Sequence, residues 1–173
     1  MTDELVDYFD AEGGVLGYCS RGEAEDKNFI TPNAIIFVID QSGEVLLQKR
    51  AQTKKHYPGL WDTSACGAIA HGENPEMAAE RELFEEIGVR CKLQLAERFM
   101  NAFPSEDGTL VRTRLSYLYI GRCAVKPTHN HEVEEIRGFA PEGLLAHVKA
   151  APEKYVPSFE LELSKALAAF SRL

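Results

Sequence analysis

The chain has 173 residues, 45% hydrophobic and 27% charged; this is the size and mixture of one folded domain with its own apolar core, and it excludes disordered, collagen-like and disulfide-scaffold chains. A formal net charge of -8 argues against a protein whose partner is a nucleic-acid polymer, because backbone phosphates are met by a basic face. The cysteines Cys19, Cys66, Cys91 and Cys123 form no CxxC pair. No apolar run reaches the roughly 18 residues of a membrane span, and the polar start at residues 2–7 has no targeting character. A soluble cytoplasmic chain with reduced thiols and no membrane partner is therefore expected.

In chain order, residues 5–9 and 15–18 read as short strands around Gly13 and Gly14, an N-terminal β-hairpin, followed by a polar stretch at residues 20–28. Residues 33–40 form an apolar, β-branched run and residues 44–49 a second strand after a Gln41-Ser42-Gly43 turn, together a central hairpin. Residues 51–60 should be a loop that returns at Trp61, and residues 67–74 are again loop-like. The clearest helix is Pro75–Ile87, with Asn74 as N-cap, Pro75 at its first position and Gly88 as a left-handed stop. Strands follow at residues 92–103 and 113–122 around the turn-rich residues 104–108, and two helices at residues 141–149 and 158–170 close the chain. With no repeat or linker, residues 1–173 make a single domain: a hairpin extension over 1–28, a core over 29–150 and a C-terminal helix over 151–173.

On the 75–87 helix, Ala79, Leu83 and Ile87 fall on one side, while Glu82, Glu85 and Glu86 gather on another. Like charges at that spacing destabilise a helix by a few tenths of a kcal/mol, which a divalent cation would relieve. Carboxylates are hard oxygen ligands suited to Mg²⁺ or Mn²⁺, and Mg²⁺ also takes phosphate oxygens, so diphosphate chemistry becomes plausible. The same face also reads as a solvated acidic surface with Arg81 paired to Glu85 at i+4, and spacing alone does not decide between the two.

The longer pattern Gly67, Glu73, Arg81-Glu82-Leu83, Glu85-Glu86, Gly88-Val89 resembles the signature of the Nudix hydrolases, G-x5-E-x7-R-E-U-x-E-E-x-G-U, at every fixed position. The resemblance implies an α/β/α sandwich with a mixed β-sheet. It also implies cleavage of a small-molecule nucleoside diphosphate derivative by a metal-activated water, with Mg²⁺ or Mn²⁺ as cofactor. By that resemblance Glu82, Glu85 and Glu86 hold the metal with the Gly67 carbonyl, Arg81 and Glu73 orient the carboxylates, and Glu82 is the first choice of general base. Glu132, Glu134 and Glu135 form an alternative base set, because members of the family differ in using a glutamate inside or outside the signature. Lys49 and Arg50 at a strand end are candidates to meet phosphate, although Arg50 reads equally as a surface ion pair. Phe103 and Tyr117 are candidates to stack on a base, although aromatics in strands are usually core.

Residues 57–67, Tyr-Pro-Gly-Leu-Trp-Asp-Thr-Ser-Ala-Cys-Gly, also resemble the matching segment of type I isopentenyl diphosphate isomerases, which share the Nudix fold and use a catalytic cysteine at the position of Cys66. Three departures separate the chain from that pattern. Gly67-Ala68 replaces a metal-binding histidine, residues 29–33 contain no histidine, and the glutamate signature is intact where that family's is degenerate. Cys66 then reads as a small buried thiol. A Nudix-fold binding module without turnover would usually have lost signature glutamates, and none is lost here. The overlap suggests an isomerase-like subgroup of Nudix hydrolases. A homodimer is compatible with the sequence, though no feature of it demands one.

Overall fold

The structure is a computed structural model and describes residues 4–172; of the polar start expected at residues 2–7, residues 2 and 3 lie outside the described residues. The chain runs β1 (Leu5–Phe9), β2 (Val15–Ser20), α1 (Arg21–Asp26), β3 (Thr31–Ile39), β4 (Val45–Arg50), β5 (Trp61–Asp62), β6 (Ala65–Ala68), α2 (Pro75–Ile87), β7 (Leu93–Pro104), β8 (Val111–Arg122), β9 (Val133–Phe139), α3 (Leu144–Ala150), a 3₁₀ turn and α4 (Phe159–Phe170).

β3 shows why the layers form. Its near-continuous apolar run is buried on both faces, as a central strand requires. Ala34, Ile36 and Val38 pack against Ala78, Ala79, Leu83 and Ile87 of α2, while Ile35, Phe37 and Ile39 pack against α3 and α4 through Leu144, Val148, Phe159 and Leu163. Strand alternation thus feeds two cores from one strand, and the result is an α/β/α sandwich around a seven-stranded mixed sheet. The N-terminal hairpin β1–β2 stands as a separate two-stranded sheet, held by Val6, Cys19 and Ala24.

The expected central hairpin of β3 and β4 is much shorter than its strands. Only Val38↔Leu46 and Ile39↔Val45 pair, after which β4 turns to β5 and β9 while β3 takes β6 as its antiparallel partner and β8 as a parallel one. Ser64 explains how the fork is tolerated: its hydroxyl, fully buried, accepts from Val38 N at 2.9 Å and donates to the Leu46 carbonyl, so both parted strands keep a hydrogen-bond partner. Into that fork runs β6, so residues 67 and 68 are strand where a loop was expected.

Residues 20–28, read from the sequence only as a polar stretch, contain α1. The helix has six residues and buries only Ala24, too short for an apolar stripe to register. Its signal was local: the Ser20 hydroxyl accepts from Glu23 N at 3.2 Å, and Ser20-x-x-Glu23 has the form of a capping box. α2 matches its expected bounds, with Asn74 Oδ1 accepting from Glu76 N at 2.8 Å and Gly88 at φ 67°.

Candidate active site

α2 and β6 meet at the fork, and the side chains at their junction make the site. Arg81 on α2 is its centre. Its Nε and Nη2 donate to the two oxygens of Glu73, each at 2.9 Å, and Nη2 also reaches the Ala68 carbonyl at 3.2 Å. Its Nη1 donates to Glu82 at 2.6 Å and to Glu85 at 3.4 Å. The fork geometry of a guanidinium suits this bidentate grip on Glu73. Hydrogen bonding to Arg81 holds the Glu73 carboxyl below its ordinary value, whereas burial pushes that of Glu82 up against the pull of Arg81.

Glu86 faces elsewhere. Only 5% exposed, it turns into the fork, where its Oε2 accepts from Gln48 Nε2 at 2.7 Å and from Cys66 N at 3.0 Å. Burial pushes its carboxyl up to about 8 despite those two donors. The expected single acidic face is therefore split: Glu82 and Glu85 share Arg81, while Glu86 braces β6. Helical spacing places all three on neighbouring turns, but the fork beside Cys66 draws one of them inward.

Gly67 lies hard against the Glu82 carboxylate, and a Cβ there would overlap it. The missing Cβ is what leaves the Glu82 carboxylate room beside β6. The donor set fits a divalent cation: Glu73, Glu82 and Glu85 gather around the single positive charge of Arg81, Glu86 adds a carboxylate from the fork beside them, and carboxylate and carbonyl oxygens are what Mg²⁺ and Mn²⁺ take. Among the described residues no three acidic, histidine or cysteine side chains close into a ready-made ion cage. Mg²⁺ characteristically keeps waters and shares its shell with substrate phosphate, so a complete protein cage is not required.

On the other face of the sheet from α2 lies a cavity of about 220 Å³, lined in part by Cys66, Gly67 and Ala68. Arg50 lines it, with Nη1 on Asp62 Oδ2 at 2.8 Å and Nε on the His56 carbonyl at 3.1 Å, so its charge is matched by a half-enclosed ion pair rather than a loose surface one. Phe103 lines it too. Tyr117 does not: it packs with the α2-side core, under Arg98. Lys49 lies outside the cavity and pairs with Glu134 at 2.9 Å. Glu132 pairs with Lys54, and Glu135 with Arg137. Their lysine partners hold Glu132 and Glu134 below the usual carboxylate range, which makes both weaker bases.

Cys66 borders the cavity with Asn33 Nδ2 3.6 Å from its sulfur. Burial first, then the nearby Asp62 and Glu162 carboxylates, push the thiol well above its ordinary value, which leaves a poor nucleophile. Glu162 on α4, also in the wall, is fully buried, and Asn101 Nδ2 donates to it at 2.7 Å. Gln48, Asn33, Glu162, Arg112 and Arg114 all belong to this region without having stood out in the sequence. Only the last two left a trace there: Arg112-x-Arg114 has the two-residue period that puts both on one strand face.

With this fold and site in place, the comparisons with known proteins are specific. The family model described as NUDIX domain matches residues 30–159, and the chain belongs to that family. Among individual relatives, the chain is 33% identical over 159 residues to isopentenyl-diphosphate Delta-isomerase 2 of Photorhabdus laumondii, covering 91% of this chain and 89% of that one. It is 34% identical over 125 residues to isopentenyl-diphosphate Delta-isomerase of Serratia proteamaculans, covering 72% and 69%. Among solved structures, DR0079 from Deinococcus radiodurans superposes with a TM-score of 0.73 at 22% identity, covering 94% of this chain and 99% of that one. The MutT protein of Methanosarcina mazei superposes with a TM-score of 0.61 at 17% identity, covering 81% and 91%. The structural neighbours support the fold, and the relatives' names fit the isomerase alternative more than the hydrolase reading. Among the described residues no helix is long and apolar enough to cross a membrane.

Proposed function

We propose that this chain is a divalent-metal-dependent hydrolase that cleaves the phosphoanhydride of a small-molecule nucleoside diphosphate derivative. One observation carries the reading: Arg81 clamps Glu73, Glu82 and Glu85 against the Gly67 cradle, so that the signature's carboxylates are held in place around a single cation. Glu82, Glu85 and Glu86 with the Gly67 carbonyl would hold Mg²⁺ or Mn²⁺, which lowers the pKa of an attacking water and neutralises phosphate oxygens. Arg81 fixes the rotamer of Glu82 from one side while Gly67 leaves it room on the other. Glu82, whose carboxyl burial raises, would take the proton of that water as general base. Glu73 keeps Arg81 from drifting by its two-point grip and itself accepts from Ala70 N at 3.1 Å.

The names of the relatives favour a second reading, isomerisation of isopentenyl diphosphate, and Cys66 stands at the cavity wall where a thiol would be needed. Moving a double bond requires a proton donor and a proton acceptor around one carbon skeleton. Against it, Gly67-Ala68 stands where that pattern needs a histidine, and burial with the nearby Asp62 and Glu162 carboxylates holds the Cys66 thiol well above its ordinary value. The two readings separate by ³¹P and ¹H NMR of the intact protein with Mg²⁺ or Mn²⁺. Anhydride cleavage that stops with chelator supports the hydrolase. Dimethylallyl diphosphate formed from isopentenyl diphosphate, with no nucleotide cleaved, overturns it.

A further inference from the structure

The cavity's cations divide into two kinds. Arg50 is matched by Asp62, Lys54 by Glu132, and Arg21 by Glu4 at 3.6 Å. Arg112 and Arg114, on one face of β8, are not. Arg112 Nη1 donates to the Glu25 carbonyl at 2.8 Å and to Asn28 Oδ1 at 3.2 Å, both neutral acceptors. Arg114 makes no hydrogen bond or ion pair through its guanidinium with any described residue, although it is half-buried and lines the cavity.

Such an arrangement costs stability without a ligand. A guanidinium withdrawn from water loses hydration, and here no hydrogen bond or ion pair returns it, only the weaker attraction of Glu25 and Cys66. The cost shows as a lowered pKa, caused first by burial and then by the like charges of Arg112 and Arg21. Two guanidinium groups two residues apart on a strand stand roughly 7 Å apart at their Cα atoms, close enough for both forks to converge on one tetrahedral anion.

Position supplies the rest. Arg114 pairs in register with Thr31 of β3, and β3 pairs on its other side with β6, Asn33 opposite Ala68. One strand therefore separates Arg114 from the stretch whose backbone holds Glu86 and Arg81. Cys66, Gly67 and Ala68 of that stretch line the same cavity as Arg114, so β6 borders the cavity on one side and the acidic junction on the other.

We propose that Arg114, assisted by Arg112, binds a phosphate group of the substrate inside the cavity, on the opposite side of β6 from the carboxylate junction. The proposal rests on the reading that the substrate carries a diphosphate, which the hydrolase and isomerase alternatives share. It makes the cavity the anionic end of the binding site and gives the net-negative chain a local positive well for its substrate.

The test is calorimetric titration of inorganic pyrophosphate into the full chain in chelator, comparing the wild type with Arg114→Met and Arg114→Lys, and melting each protein without anion. Wild-type binding that weakens at least about tenfold in Arg114→Met and partly returns in Arg114→Lys is expected. The melting temperature of Arg114→Met should stay level or rise, since the variant removes an unpaired buried charge. Undiminished binding in Arg114→Met overturns the proposal, as does a wild type that ignores pyrophosphate. Lost binding together with a lower melting temperature also overturns it, because the arginine would then be structural. Pyrophosphate bound through Arg114 by a protein that cleaves no anhydride upholds this site while overturning the hydrolase reading.

Discussion

Two charged regions lie on either side of β6, and they are balanced in opposite ways. At the α2 junction three carboxylates surround one guanidinium, with Glu86 a fourth turned into the fork beside them, and that guanidinium is saturated with acceptors. In the cavity Arg50 and Lys54 each have their own carboxylate, whereas Arg112 and Arg114 pair with none. The first region is short of positive charge and the second of negative charge. What each lacks describes what each would bind: a divalent cation at one, a phosphate at the other. A metal diphosphate would satisfy both at once, which neither region indicates alone.

The sharpest way to break this comparison is to remove one junction carboxylate and leave the cavity intact. Glu86→Gln keeps shape and hydrogen-bonding capacity beside Gln48 and Cys66 N. Turnover of the cleaved anhydride should fall at least about a hundredfold while the melting temperature barely moves. An unchanged initial rate would remove Glu86 from the site.

Gly67→Ala probes the same junction by space rather than charge. The new Cβ must displace the Glu82 carboxylate, a flexible side-chain end, so the backbone can stay in place. Turnover should drop by about tenfold or more with only a modest loss of stability. Equal losses in rate and melting temperature would mean that β6 itself moves.

Glu162 tests the electrostatics of the cavity wall. Burial first, then Asp62, push its carboxyl up to about 8, against hydrogen bonds from Ser158 and Asn101. Its folded value lies above the ordinary 4.5, so its stabilising contribution is complete below about pH 4.5 and is lost as pH rises through about 8. Glu162→Gln should flatten that decline and melt a few degrees higher than wild type above pH 8. Parallel curves for the two proteins across pH 5 to 9 would show that Glu162 is ionised throughout.

The smallest expected effect is the most discriminating between the two readings. Cys66→Ala should leave anhydride hydrolysis within about tenfold of wild type, because the thiol is held neutral and takes no part in the acidic junction. A larger loss without destabilisation would revive a catalytic thiol.

What the sequence determined by itself was local or strongly periodic. Asn74, Pro75 and Gly88 mark both ends of α2, because capping chemistry acts within a few residues. The run Ala34 to Ile39 is legible as a buried strand, and the signature from Gly67 to Val89 is legible as a family resemblance. α1 was also written locally, at Ser20-x-x-Glu23, but six residues with one buried side chain leave no period to detect. Only the tertiary structure decided that β3 and β4 part at a serine, that β6 fills the gap, and that Glu86 turns inward to meet it. It also decided which arginines find carboxylates. Arg50 and Arg114 look alike in sequence, but Asp62 reaches the first and no described carboxylate pairs with the second. Such pairings join residues from different strands and helices, so they follow from how the layers close rather than from spacing along the chain.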